Sequence, residues 1–92
     1  MCGRFVMTDS EEKVMNDFQI QHSEVLLSPR YNICPSQDIA VIVRQKGRLT
    51  LETRQWGLIP FWAKNPKPMI NARAETATEK PSFRMAFKKR RC

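Results

Sequence analysis

Ile39-Ala40-Val41-Ile42-Val43 is an unbroken apolar run rich in β-branched residues, followed by Lys46-Gly47 and by Leu49, Leu51 and Thr53 alternating with polar neighbours. Branching at Cβ suits a pleated surface, period-two spacing turns one face of the second segment inward, and glycine supplies the backbone freedom of a tight turn. A β-hairpin is therefore predicted, and the rest of the fold has to be built around it. With 92 residues in all, there is room for one small core, so residues 1–92 read as a single domain.

The flanking segments read as a mixture of short elements. Thr8-x-x-Glu11 fits a capping box, and Val14, Met15 and Phe18 recur at helical spacing, which predicts an amphipathic helix over about residues 9 to 21, with His22 on the surface at its polar end. Arg30-Tyr31-Asn32-Ile33-Cys34-Pro35 reads as an extended segment ended by proline, with a turn around Ser36-Gln37-Asp38. Gln55 to Ile59 begins as a strand that Pro60 breaks, and Asn65-Pro66-Lys67-Pro68 has to be a loop. Met69 to Ala74 reads as a further strand. Pro81 at a first helical position, ahead of Phe83, Met85, Ala86 and Phe87, predicts a second helix running into Lys88-Lys89-Arg90-Arg91. The class is α+β, without internal repeats.

Composition narrows the function. Hydrophobic residues are 41% and charged residues 27%, as in soluble domains, and no apolar run is long enough to span a bilayer. Met1-Cys2-Gly3-Arg4-Phe5 supports neither a secretory signal nor a transit peptide, so a cytoplasmic location is expected. Cys2, Cys34, Cys92 and the lone His22 match no metal pattern and no disulfide framework, so reduced thiols and no metal or organic cofactor are expected. The net charge of +7 favours a polyanionic partner, nucleic acid foremost, against the alternative of a merely solvated basic surface. The basic run at 88–91 reads as solvated.

Cys2 carries the most distinctive chemistry. Removal of Met1 would leave a 1,2-aminothiol, in which the α-amine forms an imine with an aldehyde and the adjacent thiol closes a five-membered thiazolidine, a ring closure that a lysine Schiff base lacks. With reference pKa values of about 8 and about 8.5, useful fractions of both groups are nucleophilic near neutrality, and a nearby Arg4 would favour the thiolate. By itself, Cys2 reads more readily as an ordinary second residue that happens to be cysteine, and context has to reverse that.

Four motifs supply context: Met1-Cys2-Gly3-Arg4-Phe5, Arg30-Tyr31-Asn32-Ile33-x-Pro35, Trp56-Gly57-Leu58-Ile59-Pro60-x-Trp62 and Ile70-Asn71-Ala72-Arg73-Ala74-Glu75-Thr76. In this order and spacing they resemble the SRAP family, the SOS-response-associated peptidases or abasic-site-processing proteins, over essentially the whole chain. The resemblance implies an antiparallel β-barrel-like sheet with flanking helices, of which this chain represents the amino-terminal part. It implies binding of single-stranded DNA and crosslinking of Cys2 to the ring-opened aldehyde of an abasic site. Asn71 matches the asparagine beside the nucleophile, where its amide would hold the opened sugar. Arg4 and Arg73 match arginines that grip flanking phosphates, a task suited to guanidinium forks. Pro35, Phe61 and Trp62 fall where a wedge unstacks bases.

Other positions read as structural. Trp56 is assigned to core packing, Phe61 divides evenly between packing and wedge, and Glu75 either caps the following helix or pairs with Arg73. Cys34 replaces the family's usual alanine and is expected in a core slot. The family's active-site glutamate and histidine fall in a carboxy-terminal half that has no counterpart in these residues, so weak residual crosslinking, unpaired sheet edges and a split core are expected. Two rivals remain: an amino-terminal-nucleophile thiol peptidase, and an inactive basic fragment that binds DNA without covalent capture.

Overall fold

The computed structural model describes residues 3–64 and 67–92, so Cys2 and the Asn65-Pro66 part of the expected loop lie outside the described residues. The order of elements is β1 (Phe5–Met7), α1 (Glu11–Phe18), β2 (His22–Ser23), β3 (Arg30–Ile33), β4 (Asp38–Gln45), β5 (Arg48–Gln55) and α2 (Arg84–Lys89). The class is α+β, as expected. Among the described residues the strands form a two-stranded sheet, β1-β3, and a three-stranded one, β2-β5-β4, and neither closes into a barrel. The chain divides into two compact units, residues 3–56 and residues 57–91.

The predicted hairpin organises the first unit. β4 and β5 pair antiparallel from Asp38↔Gln55 to Gln45↔Arg48, and Lys46 and Gly47 turn the chain with φ of 49° and 78°. Two successive left-handed residues give a turn whose twist matches that of the strands it joins. Leu51 on β5 is 2% exposed and packs with Val14 and Ile20. Met7, Met15, Ala40 and Ile42 lie against this cluster.

Helix α1 is shorter than the expected span from residue 9 to 21. Ser10, not Thr8, is the N-cap, its side chain accepting from the Lys13 amide, and the helix stops where Gln19 enters the left-handed region at φ 55°. The chain then runs extended, so that His22 lies in β2, parallel to β5, rather than at a helix end. A sheet edge competing for this backbone is the physical reason: Gln21 and Glu24 amides bond Leu49 and Leu51 carbonyls.

Beside the core an open, mainly apolar groove of about 480 Å³ is lined by Phe5, Phe18, Leu26, Ile33 and Ile42 among others. Leu26 is 91% and Phe18 58% exposed at its rim. β4 is an edge strand with its outer backbone groups unpaired within the sheet.

In the second unit, two strand expectations are corrected. β5 ends at Gln55, and among the described residues the backbone pairing of 57–59 with 69–74 is the isolated antiparallel bridge Leu58↔Met69. Pro60 and Pro68 close off the ladder on the loop side of that bridge, and on the other side the Trp56 amide and carbonyl are already bonded to Gln37 and Ser36. After Arg73 the chain coils into successive turns, with Ala77 and Lys80 amides bonding the carbonyls of Arg73 and Thr76. Helix α2 starts at Arg84, three residues later than Pro81 suggested, because residues 80–83 form a turn first, the Phe83 amide bonding the Lys80 carbonyl.

Candidate functional site

The first unit positions Arg4 and Pro35. β1 pairs antiparallel with β3, Phe5 opposite Ile33 and Met7 opposite Arg30, with an irregularity between them. This pairing brings Arg4 against the residues around Ile33, where its Nη1 donates to Asn32 Oδ1 at 2.9 Å and to Cys34 Sγ at 2.6 Å. Strand alternation decides what Cys34 does: Ile33 is buried at 3%, so its successor points away from the core and is only half-buried. The expected core slot for Cys34 is thus corrected; its sulfur serves the Arg4 guanidinium instead.

Pro35 sits in a braced turn. The Ser36 amide donates to the Trp56 carbonyl at 2.8 Å and the Trp56 amide to the Gln37 carbonyl at 2.9 Å. The Gln37 side-chain carbonyl accepts from Arg30 Nη2 at 2.9 Å and from the Cys34 amide at 3.0 Å, while Arg30 Nη1 donates to the Asp38 carbonyl. Trp56 is half-buried and packs on the Phe5 ring, with centroids 5.6 Å apart and planes tilted by 57°, in keeping with its expected packing role. Asn32 and Gln37 were not singled out from the sequence. Their signal was faint: Asn32 lies inside the Arg-Tyr-Asn-Ile motif, and an amide at a turn commonly bonds nearby backbone.

The second unit presents the aromatics. The Leu58–Met69 pair, with amide-to-carbonyl bonds of 2.9 Å in both directions, closes the base of a loop. Within it the Ala63 amide donates to the Pro60 carbonyl at 3.0 Å, which makes Phe61 and Trp62 the two central residues of a tight turn. They consequently project outward: Phe61 is 97% and Trp62 54% exposed. Between this turn and α2 runs a cleft of about 390 Å³ lined by Ile59, Phe61, Met85, Ala86 and Arg90.

Asn71 and Arg73 lie in the same unit, both exposed, on the stretch between the Met69 bridge and the turns that begin at Arg73. Glu75 is exposed there too, and among the described residues no ion pair joins it to Arg73. The geometry therefore offers a braced proline turn beside a positioned arginine in one unit. In the other it offers an aromatic turn with an exposed amide and guanidinium. Exposed aromatic faces can stack on planar rings, and exposed guanidinium groups can bond phosphate oxygens.

A family model described as "SOS response associated peptidase (SRAP)" matches residues 1–92. The chain is similar to the abasic site processing protein YoqW of Bacillus subtilis (strain 168), 43% identical over an alignment of 97 residues that takes in 100% of this chain and 43% of the relative. It is similar to YoaM of the same organism, also called an abasic site processing protein, at 42% identity with the same coverage. To the Escherichia coli (strain K12) abasic site processing protein YedK it is 30% identical, over 91% of this chain and 40% of that protein. The chain thus spans less than half the length of these relatives.

Proposed function

The chain belongs to the SRAP family, and from that premise we propose that it captures abasic sites in single-stranded DNA in the cytoplasm through an amino-terminal Cys2. Once Met1 is removed, the Cys2 α-amine condenses with the ring-opened sugar aldehyde, releasing water and leaving an imine. The Cys2 sulfur then adds to the imine carbon while the nitrogen takes up a proton, and the product is a thiazolidine joining protein to DNA. Asn71 hydrogen-bonds the opened sugar, Arg4 and Arg73 bind flanking phosphates, and Pro35, Phe61 and Trp62 occupy the space of unstacked bases.

The observation that supports this reading most directly is the Pro60–Ala63 turn, which holds Phe61 at 97% and Trp62 at 54% exposure side by side, aromatic faces of the kind on which unpaired bases stack. Support also comes from the relatives, which are named as abasic site processing proteins.

The test is to incubate the purified chain with a single-stranded oligonucleotide bearing one abasic site and to look for a heat-stable covalent band. The band is expected with the original chain and absent with Cys2→Ala. Equal crosslinking by both, or none by either once mass spectrometry has verified loss of Met1, overturns the reading.

A further inference from the structure

Almost all the excess charge of the chain lies in one short segment. Residues 80–91 contain six Lys or Arg and no Asp or Glu, against a net charge of +7 for the whole chain. Structure turns this run into a shaped surface. Arg84 and Lys88, one helical turn apart on α2, line a pocket of about 370 Å³ together with Thr78, Phe87 and Arg91. The Arg91 guanidinium lies over the Phe87 ring, 4.6 Å from its centroid. Among the described residues no ion pair or side-chain hydrogen bond engages Arg84, Lys88 or Arg91. Three cations thus converge on one pocket without an acidic partner.

Self-repulsion of such a group is relieved by a polyanion whose charges repeat at a similar interval. Four residues of helix advance about 6 Å, the scale on which successive phosphates of an extended strand follow one another. Stacking on Phe87 orients Arg91 while leaving the edge of its guanidinium able to donate to phosphate oxygens. An anionic membrane is the poorer match, because α2 is only six residues long and lacks the extended apolar face that interfacial helices insert. We infer that Arg84, Lys88 and Arg91, with Phe87 as platform, form a phosphodiester-binding surface for the backbone of a single nucleic-acid strand. The surface extends the DNA-binding reading above but needs no abasic site and no Cys2.

The experiment measures anisotropy of a labelled, undamaged single-stranded oligonucleotide across a salt series, with the full chain and with the Arg84→Ala, Lys88→Ala, Arg91→Ala triple variant. Three lost phosphate contacts lower the slope of log affinity against log salt by about 2, and at 0.1 M salt weaken binding by about 100-fold. A charge-matched control, Arg44→Ala, Lys46→Ala, Arg48→Ala on the β4–β5 hairpin, is expected to keep most of the slope. Circular dichroism checks that both variants keep the fold. An unchanged slope in the α2 variant, or an equal loss in the hairpin control, overturns the inference. So does sedimentation with phosphatidylserine vesicles that depends on the α2 cations while DNA binding does not. If abasic-site capture fails yet the slope depends on these residues, this surface stands and the capture reading falls.

Discussion

Arg30 braces the turn that carries Pro35, and replacing it measures how firmly that turn is held. Its two terminal nitrogens donate to the Asp38 carbonyl and to Gln37 Oε1, and Gln37 in turn accepts the Cys34 amide. Arg30→Met removes both bonds with little change in side-chain length. Hydrogen bonds from a charged donor contribute about 1.5–3 kcal/mol each, and the freed acceptors lie where water reaches them, so about 2 kcal/mol is expected for the pair. For a chain of this size that lowers the thermal midpoint by about 8–16 °C. Arg30→Lys keeps the charge but not the fork, and should recover less than half of the loss. Circular dichroism melts give the midpoint. Hydrogen exchange at the Ser36 and Trp56 amides, which bond the Trp56 and Gln37 carbonyls, reports the turn itself. A midpoint within about 2 °C of the original, with both amides still protected, would refute the bracing argument.

Two other substitutions probe one unit each. Leu51→Ala empties the best-buried core position and should cost about 2–3 kcal/mol in urea unfolding, the lower part of the usual range because the adjoining groove lets neighbours and water refill the space; a loss under about 1 kcal/mol would contradict the described core. Gly57→Ala meets two obstacles, a φ of +137° and a Cβ only 2.7 Å from Pro68 Cβ. It should cost about 1–3 kcal/mol and expose the Leu58 and Met69 amides to exchange, whereas unaltered protection there would show that the loop closes some other way.

The central hairpin and the solvent-facing character of the basic run were legible in local sequence. β-branched residues in a run, period-two alternation and a glycine-bearing turn all act over a few residues, and the register of β4 on β5 follows from the turn between them. The motif set around Arg4, Arg30, Trp56 and Asn71 likewise identified the family, because residue types in a fixed order are a property of sequence alone.

What local patterning missed depends on partners distant in the chain. The first helix ended early because β5 offered its edge to residues 21–24, and the strand expected at 69–74 reduced to one bridge because prolines bar the ladder on one side and the Trp56 backbone is bonded to residues 36 and 37 on the other. Cys34 has the hydropathy of a core residue, yet the inward turn of Ile33 put it beside Arg4, 30 residues away. The basic run became a pocket only through the helical spacing of Arg84 and Lys88 and the Phe87 ring under Arg91. Sequence by itself determined which segments could pair and which chemistry was on hand. Tertiary structure decided which carbonyls each chain end found, because a backbone hydrogen bond or a stacked ring goes to whatever the fold brings within about 3–5 Å.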